Sequence, residues 1–487
     1  MPDRTEPTST LGARANAAVD VERVSTRDFL QIFTAVMLPM FVAAIDQTLL
    51  ATATPAIAKE FGELRDTTWI ALGYLIAGTI TIPLYGRLGD RIGRKRVLLA
   101  AIGLFAAGSV ACGLANSMLV LSLARVLQGL GGGGLMVTSQ ALIGELVPPR
   151  ERPRFQGYFA ANFTLASLAG PIVGGYVVAH ASWRWLFLVN IPLMALALWR
   201  VGRLPSHKGQ AAAAGQPTDV PGALMFAAAA AITLVWVTFA GHRFPWVSEQ
   251  SGLLIAGATV LWVLLARAER RAASPFLPIE LMRDRGIAWM AATVVLFASC
   301  FFATVFFLPI YLQLGAGVAA SHSGLLLLPL TLGMVTGSTT TGRVVAKTRR
   351  PTLMPRIGLT VAACMLLLLG VLTPAPWTIA TCGFICGVGF GTVMPTAQVT
   401  IQTLAGRQRL GAAAAIVSLS RSLGAVLGTA VFGALVFGLL SGVDIGESAR
   451  TGHAAMVLRA FQIGFIATSG VALIGAACAF RLPRLRL

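Results

Sequence analysis

Two long apolar runs, TTWIALGYLIAGTITIPLY and VLLAAIGLFAAGSVACGLA, flank a loop of glycines and charges at residues 86–99, GRLGDRIGRKRVLL. Each run has the length of one bilayer crossing, which takes roughly 20 residues of helix. The alternation recurs along the whole chain. Fourteen candidate spans fall near 29–51, 68–86, 97–116, 118–144, 155–179, 183–202, 219–240, 251–268, 287–314, 323–342, 356–373, 377–404, 411–440 and 459–481. Only 12% of residues are charged, against about 25% in soluble domains. Mean hydropathy is +0.77. Lipid admits only helices and closed barrels as spanning structures. These runs are too long and too uniformly apolar for barrel strands. The expected fold is therefore an all-α integral membrane protein with 14 transmembrane helices.

The net charge of +19 invites a nucleic-acid reading, and the distribution of charge rejects it. Alternating sides from a cytoplasmic N-terminus, the inside segments hold 30 of the 38 Lys and Arg and the outside loops hold five. That split follows the positive-inside rule, puts both termini in the cytoplasm, and suits anionic lipid headgroups. Residues 1–28 are polar, lack a signal-peptide core and read as a disordered cytoplasmic tail. All six cysteines lie within apolar spans. Cys382 and Cys386 share a helix face, but no His or third Cys accompanies them. They read as core packing rather than a metal pair. The five His residues fall in loops or span ends, and there is no Walker loop, soluble βαβ unit or CxxC. ATP-driven transport, redox catalysis, a metal and a cofactor are not expected, nor is an enzyme, because no catalytic cluster sits within the spans. Arg outnumbers Lys 34 to 4, which suggests a GC-rich bacterial genome and hence the bacterial plasma (inner) membrane.

An internal repeat organises the spans. Gly86, Arg87 and Arg94 recur as Gly342, Arg343 and Arg350. Gly129 and Gly133 recur as Gly383 and Gly387, and Gly157, Gly170 and Gly174 as Gly411, Gly424 and Gly428. Spans 1–6 thus match spans 9–14, giving two six-helix pseudo-repeat bundles with spans 7 and 8 left over as an inserted hairpin. The expected boundaries are 29–202 for the first bundle, 203–218 for a cytoplasmic linker and 219–268 for the hairpin. A second linker follows at 269–286, and the second bundle at 287–481. Ala346 stands where Asp90 stood, so the second basic loop is degraded and the halves cannot gate alike.

Gly86, Leu88, Asp90, Arg91, Gly93, Arg94 and Lys95 fall on the pattern GxLaDrxGrkxxl, so the loop resembles the signature of the major facilitator superfamily. The fourteen-span layout and further strings resemble its drug:proton antiporter branch of the QacA/EmrB type. AAIDQTLLATATPAIAKEFG resembles that branch's first-span motif through Asp46 and Pro55, although Thr54 replaces the usual Leu. ARVLQGLGGG resembles the fourth-span RxxQG motif through Arg125, Gln128 and Gly129. SLAGPIVGGY resembles the fifth-span antiporter motif through Gly170, Pro171, Gly174 and Gly175. SWRWLFLVNIP also recurs in the branch, through Trp183, Arg184, Phe187, Asn190 and Pro192.

Asp46 is the strongest candidate on residue logic alone, because it is the one acid deep inside a span. A carboxylate in hydrocarbon must pair, protonate or line a wet cavity. Arg125 is its natural partner, and the resemblance implies a role in proton coupling for that Arg. Gln47 and Gln128 flank the pair as candidate substrate contacts. Asp90, with Gly86, Arg91, Gly93 and Arg94, forms the candidate cytoplasmic gate. Gly170, Pro171, Gly174 and Gly175 allow close helix approach and a kink, and the resemblance implies a gate there too. Phe302, Phe306, Pro309 and Gln313 share a face of span 9 that suits a flat, greasy substrate. Arg421 in span 13 has three readings: cavity electrostatics, an acidic substrate group, or a structural anchor. The expected function is secondary active export of small amphipathic compounds, driven by proton antiport. The alternative is proton-coupled export of one metabolite such as a siderophore, antibiotic or lipid. The expected partners are those substrates, protons and membrane lipids, with a periplasmic adaptor as the one protein partner considered.

Overall fold

The computed structural model describes residues 26–61, 67–148, 152–204, 219–240, 247–271, 279–312, 326–372, 375–440 and 454–483, with Phe244, Pro245 and Leu485. Most of the expected tail and linkers, and Gln313, lie outside these residues. The described chain is helical, apart from one isolated bridge between Ala240 and Phe244. Its first helices are α1 (Thr26–Phe61), α2 (Thr67–Ile92), α3 (Arg94–Gly113), α4 (Met118–Leu146) and α5 (Arg152–His180). They are followed by α6 (Trp185–Leu188), α7 (Asn190–Gly202), α8 (Val220–Phe239), α9 (Glu249–Arg271) and α10 (Arg285–Ile310). The remainder are α11 (Leu328–Thr348), α12 (Leu353–Val371), α13 (Pro376–Gly391), α14 (Val393–Ala405), α15 (Leu410–Leu439) and α16 (Ala454–Phe480).

Among the described residues, eleven candidate spans are long and apolar enough to cross a membrane. In two of them a pair of helices forms one run: α6 with α7, and α13 with α14. The sequence suggests fourteen; the three long helices outside these eleven are α5, α8, which holds the apolar segment Pro221–Val237, and α11.

The apolar cores separate by half. Two clusters lie between Ile32 and Leu204, and the largest lies between Leu281 and Leu482. The repeated glycines explain how helices close on each other. A Cβ on Gly133 of α4 would collide with the backbone of Gly78 in α2, and one on Gly387 of α13 with the backbone of Leu330 in α11. Small residues let helix backbones touch where lipid supplies no hydrophobic drive between helices. The halves meet through α2 against α15 and α5 against α11. Ile82, Val137 and Ala141 of the first half pack on Ala414 and Ala415 of the second.

The hairpin α8–α9 lies along α2. Phe239 packs against Trp69 at one end with the rings tilted, 5.1 Å between centroids. Further along, Phe226, Ala230 and Leu265 pack on Ile80 and Leu84 of α2 and on Leu419 of α15. The hairpin therefore covers the seam between the halves on one side.

Candidate functional site

Asp46 sits mid-way along α1, and its carboxylate is buried, 3% exposed. Arg125 enters from α4 and is 1% exposed. Its Nη1 donates to Asp46 Oδ2 at 2.5 Å and to Gln128 Oε1 at 2.6 Å. Asp46 Oδ1 accepts from Gln128 Nε2 and from Asn190 Nδ2, each at 2.9 Å. Gln128 Nε2 also donates to Ser109 Oγ of α3 at 2.9 Å. Arg125 Nε donates to the Ile70 carbonyl at 3.2 Å, and its guanidinium lies 4.4 Å from the Tyr74 ring centroid. Five helices thus contribute to one dry polar knot. Its geometry suits an ionised carboxylate, which accepts three hydrogen bonds and has its charge cancelled by an arginine that stays protonated.

The i, i+3 spacing of Arg125 and Gln128 puts both on one face of α4. A Cβ on Gly108 of α3 would strike the Gln128 backbone, so its absence lets Gln128 approach Ser109. Asn190, Ser109 and Tyr74 were not assigned roles by the sequence reading. Asn190 and Ser109 carry the same signal as Asp46, a polar side chain in an apolar run. Gln47, the neighbour of Asp46, is exposed and bonds back to the Ala43 carbonyl at 3.3 Å.

The second constellation lies at the loop end. Asp90 Oδ1 accepts from the Gly411 amide at 2.9 Å, and Oδ2 from the Ala412 amide at 3.0 Å. These amides belong to the first turn of α15, whose N–H groups lack helical partners and favour negative charge. A residue of the first half therefore caps a helix of the second. Arg94 secures that cap, bonding Asp90 Oδ1 at 2.7 Å and Glu145 Oε2 at 2.6 Å. Gly86 touches the other half too: a Cβ there would stand 2.7 Å from the Gly411 carbonyl oxygen. Gly93 turns the chain between α2 and α3 at φ +100°, a conformation that favours glycine. Arg91 is half-buried beside them. Nearby, Gln402 Nε2 of α14 donates to the Gln140 carbonyl of α4 at 3.3 Å. The loop end is closed.

The other predicted residues scatter. Gly170 packs on Thr48 of α1, whose hydroxyl donates to the Ala166 carbonyl at 3.1 Å. That contact stays within the first half, two residues from Asp46. α5 continues through Pro171; Gly174 is buried and Gly175 faces open space. Phe302 is half-buried and stacks on Phe306, 6.4 Å between centroids, while Phe306 is 58% exposed. Arg421 lies on α15, where its Nη2 meets Met136 Sδ of α4 at 3.7 Å. At the opposite end of the first half, Trp183 Nε1 donates to Glu60 Oε2 at 2.7 Å and Arg184 pairs with Glu60 at 2.9 Å. The Trp183 hydrogen bond, followed by Arg184, holds the Glu60 carboxyl below its ordinary range.

The fold is thus two helical halves, with a buried ion pair inside the first. Solved structures share it. The human organic anion transporter MFSD10 (TETRAN) aligns with TM-score 0.64 at 14% identity, covering 92% of this chain and 99% of that one. The proton:xylose symporter XylE aligns with TM-score 0.62 at 14% identity, covering 93% and 96%. At such identity the likeness is one of fold. The pattern described as Major Facilitator Superfamily matches residues 36–429. The chain belongs to that superfamily, whose members are transporters of small molecules and not enzymes. Among its relatives, the uncharacterized MFS-type transporter Rv1877 of Mycobacterium tuberculosis is 34% identical over 84% of this chain, which spans 60% of that protein's length. The multidrug transporter protein MdtP of Bacillus subtilis is 31% identical, covering 83% of this chain and 75% of that one. Multidrug resistance protein 3 of the same organism is 31% identical, covering 82% and 77%.

Proposed function

We propose that the chain exports small amphipathic compounds across a bacterial plasma membrane in exchange for protons, as a fourteen-span member of the QacA/EmrB type. The observation that carries this reading is the buried Asp46–Arg125 pair with Gln128 and Asn190 on the same carboxylate. A proton taken up by Asp46 breaks its pairing with Arg125 and leaves a guanidinium uncompensated in a dry site. That state is costly unless the surroundings rearrange. Proton occupancy and conformation are thereby tied. The names of the Bacillus relatives support drug export.

In this reading both termini and the 86–96 loop face the cytoplasm. Bundles 29–202 and 287–481 rock about the substrate path, and the hairpin 219–268 accompanies them. The Asp90 clasp holds the cytoplasmic side shut, and the Gly170–Gly175 stretch stiffens the first half against α1.

The test is accumulation of two probes, ethidium and radiolabelled taurocholate, in proteoliposomes with an acid interior. Wild type should concentrate at least one of them as protons leave, and Asp46→Asn should concentrate neither while remaining folded. No pH-driven accumulation by wild type would remove the antiport reading. Undiminished accumulation by Asp46→Asn would remove Asp46 as carrier.

A further inference from the structure

Among the described residues, Arg421 has no counter-charge. It lies twelfth in the 30 residues of α15, six residues beyond Ala415, which helps seal the two halves. At ~1.5 Å per residue it stands roughly 9 Å above that seal, deep in the membrane. Its guanidinium reaches across the seam to the first half, where the thioether of Met136 is its partner at 3.7 Å. A thioether is a weak acceptor and cancels no charge. The deep acid Asp46 is taken by Arg125, and Asp90 and Glu145 by Arg94. Among the described residues no carboxylate forms an ion pair with Arg421. Ser418 and Ser420 beside it are buried, and Arg421 itself is only half-buried.

An unpaired guanidinium at this depth is expensive, and an uncharged side chain would fill the place without that cost. Arg125 illustrates the satisfied case, with a carboxylate in contact. Arg421 has the same chemistry and, among the described residues, no carboxylate in contact. Its planar fork matches a carboxylate or sulfonate in two parallel hydrogen bonds. A lipophilic cation on the same path meets a like charge, and the deep carboxylate of Asp46 is already paired with Arg125.

We propose that Arg421 is the anion-binding group of the transport path, and that the substrate is an amphipathic organic anion whose carboxylate or sulfonate pairs with it. The proposal rests on the exporter reading above only in taking the seam between the halves as the substrate path. Its test is equilibrium binding, with no gradient. The full chain in nanodiscs of zwitterionic lipid is titrated with radiolabelled taurocholate and, separately, with tetraphenylphosphonium. Wild type should bind taurocholate more tightly. Arg421→Gln should weaken taurocholate by about tenfold or more, the usual scale for a lost charge-assisted bond, without weakening tetraphenylphosphonium. Arg421→Lys, which keeps the charge, should bind taurocholate better than Arg421→Gln. Lys-like recovery separates a binding role from a folding defect. Equal taurocholate binding by wild type and Arg421→Gln overturns the proposal. So does tighter binding of the cation by wild type. Displacement of taurocholate by phosphatidylglycerol in the disc would assign the charge to a lipid headgroup and overturn it too. None of these outcomes depends on proton coupling, so a silent Asp46→Asn proteoliposome and a silent Arg421→Gln nanodisc fail separately.

Discussion

At the scale of single residues, the knot at Asp46 contains one loose end. Asn190 donates to Asp46 Oδ1 through Nδ2, while its own Oδ1 is buried with no hydrogen-bond partner. A buried orphan acceptor costs about 1–3 kcal/mol. Beside a carboxylate that takes up a proton, the orphan has a use: a turn of the amide presents an acceptor to the new O–H. One side chain then serves both protonation states. Asn190→Leu removes donor and acceptor together. It should fold, yet reduce substrate-induced proton release from purified protein by about tenfold, the scale of a hydrogen bond to a charged group. Asn190→Asp adds a second acid and should change the number of protons released. Release at the wild-type level from Asn190→Leu would reduce Asn190 to packing. Asp46 and Arg125 were legible in the sequence because each is a charge in an apolar run, and charges there are costly enough to demand a reason. Asn190, Ser109 and Tyr74 were less legible because amides, hydroxyls and phenols occur throughout membrane helices. Only their convergence from three helices distinguishes them.

At the scale of elements, the closed loop end is a helix cap made between halves. Asp90, in the last turn of α2, caps α15, using both carboxylate oxygens on backbone amides while Arg94 holds it in place. Asn keeps a capping acceptor but loses the charge that pairs with Arg94 and suits the helix dipole. Ala loses everything. Asp90→Ala should therefore loosen the clasp by about 1 kcal/mol or somewhat more, and Asp90→Asn by less. The readout is maleimide labelling of Ala141→Cys, a position now buried in the seal against Ala414 and Ala415. Labelling should rise in the order wild type, Asp90→Asn, Asp90→Ala; equal labelling in all three would show that the clasp does not set closure. Sequence alone marked this loop by its density of charge. It could not show that the partner of Asp90 is a backbone, because an amide at a helix start has no residue signature. Hydropathy likewise located the runs but not their interruptions. Val189 lies between α6 and α7, and Thr392 between α13 and α14, within runs whose overall hydropathy stays that of a single span.

At the scale of the whole molecule, the spaced glycines of the sequence meet helix backbones in both halves. Backbone contact at Gly133 and Gly387 tolerates no Cβ, so glycine is required at each. The place of the hairpin was not readable. Nothing in the apolar sequence of α8 states which groove it fills. The structure lays it along α2, from Trp69 against Phe239 to Ile80 and Leu84 against the Phe226 cluster, with Leu419 of α15 at the edge. Contact with α2 extends from Trp69 to Leu84, and the contact with α15 is at Leu419. If the loop end opens by separation of α2 from α15, the hairpin must follow one and slide on the other. The longer contact predicts that it follows α2. In a cysteine-free background, a bismaleimide bridge between Trp69→Cys and Phe239→Cys should leave pH-driven accumulation in proteoliposomes intact. A bridge between Phe226→Cys and Leu419→Cys should arrest it, because it ties the hairpin and the first half to a helix that must leave. Arrest by the first bridge and free turnover with the second would mean that the hairpin travels with the second half. The seam that opens would then lie between α8 and α2.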